Sequence, residues 1–369
     1  MRVIVTGGGT GGHIYPALAI AQGIMARNNR SKILYVGVRT GMEARLVPAA
    51  GFDFKGVSGQ GMPRKLNLGM IKAGAKGFRA LWETKEILKE FRPDLVVGTG
   101  GYVSGPVVLT AALFGIPTLL HEQNALPGVT NKLLGRFVRG VMVTFPESIS
   151  YFAKKDKVTL TGLPVRPDVG KISKPAGLSH YALGPDRITL LVTGGSRGAR
   201  TLNQAMITVL EHLVKRPDIQ VIWATGSETY QETMQELQKC GLGMDNPRWR
   251  IMEYLHDMPE AIAAADLAIG RAGAASLAEL MAAGKPCILI PYPYAAENHQ
   301  EHNARAIVHA GAARLILDQD LNGEVLWQTI RELVNGSGEL TGMAAAAKGL
   351  AKPDALDEIV QLCSDTGWH

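Results

Sequence analysis

Short apolar runs alternate along the chain with longer stretches whose apolar positions recur every three or four residues. The first run, Val3-Ile4-Val5, suits a buried strand; after a burst of glycine, Ile14, Pro16, Leu18, Ala19 and Ile20 follow at roughly helical spacing. The same alternation predicts elements over 2–6, 14–28, 32–37, 41–50, 71–91, 94–98, 106–114 and 117–120, and continues to about Val158–Leu160. The proline-rich passage Thr161-Gly-Leu-Pro-Val-Arg-Pro167 reads as a linker. Arg187–Val192 then opens a second series over 202–216, 219–224, 229–240, 249–252, 258–264, 266–269, 275–283, 286–290 and 301–310. Ala344–Asp365 reads as a terminal helix broken near Lys352-Pro353. Strand–helix alternation of this kind predicts α/β domains, each a parallel sheet with helices on both faces. Two such domains facing one cleft are expected, over 1–163 and 164–349. Ligands of these sheets sit at the carboxyl ends of the strands, which here hold Gly7–His13, Thr99–Ser104 and His121–Asn124.

The glycine turns narrow the chemistry. Glycine permits positive φ and close approach of a ligand, and the N–H groups and dipole at a helix start favour an anion. Gly7–His13 has this form, and Thr193-Gly-Gly-Ser-Arg-Gly-Ala-Arg200 repeats it after Ile188–Val192. Gly7, Gly9 and Gly12 match the dinucleotide fingerprint, which also needs an acid about 20 residues on to hold a ribose. The next strand ends in Val36-Gly37, and Val221–Ala224 runs into Thr225-Gly226, so both lack that acid and NAD is disfavoured. A phosphate loop of the NTPase kind needs Lys-Ser/Thr after its last glycine; the chain has His13-Ile14 there.

Composition adds a little. With 369 residues, 46% hydrophobic and 20% charged, this is an ordinary globular chain long enough for two domains. The net charge of +6 suggests an anionic partner. Three scattered cysteines fit a reducing compartment and no zinc site. The apolar start runs straight into a glycine loop, which is unlike a signal peptide. Leu95–Leu120 is uncharged but rich in glycine and proline, and reads as strand, loop, helix and strand rather than a membrane span.

Residues 59–92 differ from their surroundings. A flexible loop, Gly59-Gln-Gly-Met-Pro63, precedes a run in which Arg64, Lys65, Lys72, Lys76 and Arg79 are joined by no acid. Ile71, Ala75, Phe78 and Trp82 share one helical face, flanked by Lys72, Lys76 and Arg79. Two readings stay open: a helix docked on the sheet, or an interfacial helix resting apolar face down on anionic lipid.

Five stretches are candidates for chemistry. His13 stands at the tip of the first glycine turn, where imidazole is a natural general base; it could equally cap the helix or touch phosphate. His121-Glu-Gln-Asn124 puts four polar side chains after an apolar strand, as catalytic groups, sugar contacts or a polar turn. Gly270-Arg-Ala-Gly-Ala-Ala-Ser-Leu-Ala-Glu279 offers small residues for a ring or ribose, whose vicinal hydroxyls Glu279 could bind, or is an ordinary small-residue turn with Glu279 on a solvated face. In Pro291–Asn303, Gln300 and Asn303 could hold sugar hydroxyls; His299 and His302 lack the company a metal site requires. Asp318-Gln-Asp320 has the D-x-D form of metal-dependent transferases, but turn and N-cap chemistry explains both aspartates.

Eight pieces in order resemble one family. They are GGTGGH (Gly8–His13), GGYVSGP (Gly100–Pro106), HEQN (His121–Asn124), PVR (Pro164–Arg166), GGSRGAR (Gly194–Arg200), EYLHDM (Glu253–Met258), RAGAASLAE (Arg271–Glu279) and HQEHNA (His299–Ala304). Together they resemble the MurG family of bacterial cell-wall transferases. The resemblance implies two Rossmann-like domains of the glycosyltransferase-B type. The donor site would lie mainly in the second, and the last helix, about 350–369, would pack back on the first. It implies inverting, metal-independent transfer of N-acetylglucosamine from UDP-N-acetylglucosamine. The acceptor would be the 4-hydroxyl of the muramoyl sugar of undecaprenyl-pyrophosphoryl-N-acetylmuramoyl pentapeptide. By that resemblance no cofactor and no nucleic acid would take part. Another lipid or natural-product acceptor is the alternative.

By the same resemblance, donor contacts fall on Thr10, Gly11, Gly12, Asn124, Arg166, Ser196, Leu255, Ala274, Ala275, Ser276, Leu277, Ala278, Glu279 and Gln300. Glu279 would take the ribose, the Leu255 backbone the uracil and Gln300 the sugar. His13 is the candidate base, with Glu122 as a second catalytic group. Ile71, Lys72, Phe78 and Trp82 would face an anionic membrane, making the chain peripheral on the cytoplasmic side of the cell membrane. Leu163 and Arg197 depart from the family, which often has Asn and Gln there; the extra charge of Arg197 would favour a diphosphate.

Overall fold

The computed structural model describes residues 1–59, 68–242 and 246–367. The loop beyond Gly59, Arg64, Lys65, and the side chains of Ile71, Lys72 and Phe78 lie outside the described residues. The chain forms two compact units, residues 1–164 with 352–369, and residues 165–351.

The first unit alternates strand and helix from its start. Its elements are β1 (Arg2–Thr6), α1 (Gly11–Arg27), β2 (Lys32–Val38), α2 (Glu43–Ala49), β3 (Asp53–Val57), α3 (Leu68–Phe91), β4 (Leu95–Gly98), α4 (Ser104–Leu113), β5 (Thr118–Glu122), α5 (Val129–Leu134), β6 (Gly140–Val143) and β7 (Val158–Leu160). All pairings are parallel, in the order β3-β2-β1-β4-β5-β6-β7. Alternation along β1 sends Val3 and Val5 to one apolar layer and Ile4 to the other, all three fully buried. Each such side chain contributes roughly 1.5–3 kcal/mol through burial. Leu95–Leu120 is β4, α4 and most of β5, as its glycines and prolines predict. Among the described residues no helix is long and apolar enough to cross a membrane.

The second unit holds α6 (Lys174–His180), β8 (Ile188–Thr193), α7 (Arg200–Leu213), β9 (Ile219–Ala224), α8 (Tyr230–Lys239), β10 (Trp249–Met252), α9 (Met258–Ala264), β11 (Leu267–Gly270), α10 (Ala274–Ala282), β12 (Cys287–Leu289), α11 (His299–His309), β13 (Ala313–Leu315), α12 (Gly323–Asn335) and α13 (Glu339–Gly349). Its parallel sheet has the order β10-β9-β8-β11-β12-β13. Leu190 and Val192 pack among α7 and α12, and Leu191 on the opposite face with α9. The sequence pattern misses α6, a short helix containing Pro175 and Gly177.

The predicted terminal helix is two helices. After α13, the break at Lys352-Pro353 returns the chain to the first unit, where α14 (Ala355–Gly367) packs on α1. In each sheet the strand order reverses at one place, between β1 and β4 and between β8 and β11. Parallel sheets of this kind bind ligands at the carboxyl ends of the strands flanking such a reversal.

Candidate active site

In the first unit, the turns after β1 and β4 pack backbone against backbone. The Gly8 N–H donates to the Gly100 carbonyl at 3.3 Å. A Cβ on Gly101 would stand 2.2 Å from the Gly8 carbonyl oxygen, and Gly101 has φ +79, so glycine is required there twice over. Side chains lock the pair. The Tyr35 hydroxyl donates to Gly7 (2.7 Å), Ser104 to Gly100 (2.7 Å) and Thr99 to the His13 carbonyl (2.8 Å). Thr10 is the N-cap of α1 in an extended conformation without a side-chain cap, and the first turn carries no acid. The start of α1, with Gly11 and Gly12, is therefore open to an anion.

His13 is half-buried in that first turn. Its Nδ1 lies 3.0 Å from the Thr99 carbonyl and 2.9 Å from Gln123 Oε1. Both are acceptors, so Nδ1 carries the proton and Nε2 has the lone pair in the neutral ring.

Glu122, at the end of β5, is tied into the loop that follows it. Its carboxylate is buried and accepts from the Asn124 N–H (2.9 Å), Asn124 Nδ2 (3.2 Å), the Gly128 N–H (3.2 Å) and Asn131 Nδ2 (2.8 Å). Four donors occupy both oxygens, so Glu122 clamps the loop from Asn124 to Gly128. His121 and Gln123 are also buried. Asn124 is the half-exposed member of the four.

In the second unit, candidates gather around the turns after β8 and β11. The glycine turn after β8 lies against the one after β9: a Cβ on Gly226 would come within 2.1 Å of Gly198. Ser196 is exposed in this turn, and its carbonyl accepts from the Ser227 N–H at 3.1 Å. Arg197 pairs with Glu228 at 2.6 Å, so its extra charge is offset.

After β11, Gly273 opens α10 in an extended conformation with no side-chain cap and no acid in the first turn. Ala274 and Ala278 are half-buried, Ala275 and Ser276 exposed, and Leu277 is in the core. One turn further on, Glu279 accepts from Arg166 Nε and Nη2 at 2.6 and 2.5 Å. The hydrogen bond to Glu279 is the main influence holding the Arg166 guanidinium above its usual pKa. The Leu255 side chain is buried with Leu191 and Ile262, so only its backbone can meet a ligand. Gln300 Oε1 accepts from the Ala272 (3.2 Å) and Tyr292 (3.0 Å) N–H groups, which fixes its amide.

Sequence reasoning missed the task of Arg271. It donates to the carbonyls of Ile290 and Pro291 and to Asp318 Oδ1 at 2.5 Å, tying the end of β11 to the Pro291–Tyr292 loop. Asp318 also accepts from Thr201 at 2.8 Å. Asp318 lies in the turn its sequence suggests, but neither aspartate is the N-cap of α12, which is Asn322. Nothing in the spacing of Arg271 and Asp318 signals that they meet.

The two halves of this arrangement match known domains in chain order. Residues 3–143 match the glycosyltransferase family 28 N-terminal domain, and residues 189–359 its C-terminal domain. A protein of Desulfitobacterium hafniense strain Y51, named UDP-N-acetylglucosamine--N-acetylmuramyl-(pentapeptide) pyrophosphoryl-undecaprenol N-acetylglucosamine transferase, is 67% identical, covering 100% of both chains. This chain belongs to the MurG family of glycosyltransferases. A Desulforamulus reducens relative of the same name is 50% identical, over 98% of this chain and 97% of its own. The crystal structure of Acinetobacter baumannii MurG superposes with a TM-score of 0.79 at 30% identity, covering 99% of each chain. As a MurG-family enzyme, the chain is a UDP-sugar glycosyltransferase, not an NAD-dependent oxidoreductase.

Proposed function

We propose that this chain transfers N-acetylglucosamine from UDP-N-acetylglucosamine to the 4-hydroxyl of the muramoyl sugar of undecaprenyl-pyrophosphoryl-N-acetylmuramoyl pentapeptide, with inversion and without a metal. The observation that carries the chemistry is His13, held through Nδ1 beside the open start of α1. Its Nε2 accepts the proton of the attacking hydroxyl as the oxygen closes on the anomeric carbon and the bond to UDP breaks. The leaving diphosphate gains negative charge, which Arg166 and the uncapped start of α10 stabilise. Glu279 takes the ribose hydroxyls and the Leu255 backbone the uracil. Gln300, its carbonyl engaged by two backbone N–H groups, offers its NH2 to a sugar hydroxyl.

A lipid-linked acceptor brings the enzyme to a membrane surface. Trp82 is 63% exposed, whereas Ala80, Thr84, Ile87 and Leu88 form the buried face of α3. Trp82 lies about 200° round the helix from Ala80, away from the core. Leu113, Phe114, Leu133 and Phe137, on and after helices α4 and α5, are also exposed, as are Arg136 and Arg139 close by in sequence. Exposed apolar side chains interleaved with cations suit a peripheral contact with anionic lipid on the cytoplasmic side.

The test is transfer of labelled sugar to the lipid-linked muramoyl pentapeptide, with and without EDTA, beside UDP-N-acetylgalactosamine and UDP-glucose. Chelator-insensitive transfer specific to N-acetylglucosamine is expected. Transfer only to some other acceptor overturns the proposed acceptor, and dependence on a divalent cation overturns the mechanism.

A further inference from the structure

We propose that His121 and Gln123 are positioning residues that hold His13 as its Nδ1–H tautomer and so keep the Nε2 lone pair available. The proposal deepens the reading of His13 as the base and rests on it. It begins at a backbone carbonyl. His121 Nε2 lies 2.9 Å from the Gly162 carbonyl, which can only accept, so His121 carries its proton on Nε2. His121 Nδ1 is then an acceptor, 3.1 Å from Gln123 Nε2. The same amide nitrogen donates its other hydrogen to the His121 carbonyl at 2.8 Å. With both amide hydrogens engaged, Gln123 cannot turn over without losing both bonds, and its Oε1 faces His13 Nδ1 at 2.9 Å. The Thr99 carbonyl, 3.0 Å from the same nitrogen, asks for the same proton.

The arrangement matters because the opposite orientation of Gln123 would disable the base. An amide NH2 facing His13 Nδ1 would stabilise a lone pair there and put the proton on Nε2. Neutral histidine in water prefers that Nε2–H form, so the protein has a preference to overcome. Both His121 and Gln123 are buried, which shields the bonds from exchange with water. Burial also keeps His121 neutral, pushing its pKa down to about 4, so its Nδ1 remains an acceptor at neutral pH.

The experiment is 15N NMR of the histidine-labelled full-length enzyme, with the His13 signals identified by their loss in His13→Gln. In the wild type, His13 is expected to show a protonated Nδ1 and an unprotonated Nε2. Three variants extend the test. Gln123→Leu and His121→Leu should lower kcat about 10- to 100-fold, as when partners that orient a histidine are removed, with the donor KM unchanged. Gln123→Glu presents an acceptor to His13 whichever way it turns. It should therefore keep His13 protonated on Nδ1 and lose less kcat than Gln123→Leu, although its second oxygen gives up the hydrogen bond to the His121 carbonyl. A wild-type His13 with its proton on Nε2 overturns the proposal without reference to any variant. So does a Gln123→Leu enzyme with unchanged spectrum and kcat. Full turnover in His13→Gln instead overturns the base itself, a different failure that the spectrum does not produce.

Discussion

Arg166 and Glu279 form a two-toothed ion pair, with Nε and Nη2 of the arginine 2.6 and 2.5 Å from the two carboxylate oxygens. Both belong to the proposed donor site, one for diphosphate and one for ribose. Glu279→Ala should raise the donor KM roughly 10- to 100-fold, the worth of hydrogen bonds to a charged group, with kcat changed little. Steady-state kinetics at varied donor concentration checks this, and an unaltered KM would remove the ribose role.

The four donors around Glu122 make a second expectation. Glu122→Ala leaves the buried Asn131 Nδ2 and the Asn124 and Gly128 N–H groups of a partly exposed loop without their acceptor. It should destabilise the first unit by roughly 2–4 kcal/mol, seen as a lower Tm, while kcat of the folded fraction falls less than tenfold. A large loss of kcat at unchanged Tm would return Glu122 to catalysis.

His121 makes stability depend on pH. Burial lowers its pKa from 6.5 to about 4, so between those values the unfolded chain binds a proton that the folded chain refuses. Its contribution is fully present above the unfolded value and is lost as pH falls through that window to the folded value. The loss is on the order of 3 kcal/mol. The Tm of wild type should therefore drop more steeply from pH 6.5 to 4 than that of His121→Asn. Parallel curves would contradict this assignment.

The exposed face of the first unit gives a fourth expectation. Trp82→Asp together with Phe137→Asp should weaken binding to phosphatidylglycerol vesicles in a sedimentation assay and leave Tm nearly unchanged, because neither side chain is in the core. A collapse of Tm would mean that these side chains support the fold instead.

Much of the fold was legible because parallel strands buried on both faces announce themselves. Val3-Ile4-Val5 followed by glycine is such a signal, and so is Ile188–Val192 before the second glycine turn. Short α6 lacked periodicity, and the return of the chain to the first unit after Lys352-Pro353 came from the family resemblance, not from the pattern of the break itself. In the candidate site, glycine turns and polar clusters at strand ends could be read one by one. Their partnerships could not. Gln123 between two histidines, Arg166 on Glu279, and Arg271 on Asp318 join residues far apart in sequence, and spacing along a chain carries no such information. The phase of α3 was open for the same reason: until Thr84, Ile87 and Leu88 are seen to face inward, Trp82 fits either side.

The most direct measurement compares wild type and His13→Ala side by side, recording kcat for sugar transfer and the Kd of UDP by calorimetry. A fall in kcat of roughly 10²- to 10⁴-fold with UDP affinity nearly unchanged is expected if His13 takes the proton of the acceptor hydroxyl. Equal kcat in the two enzymes would contradict it.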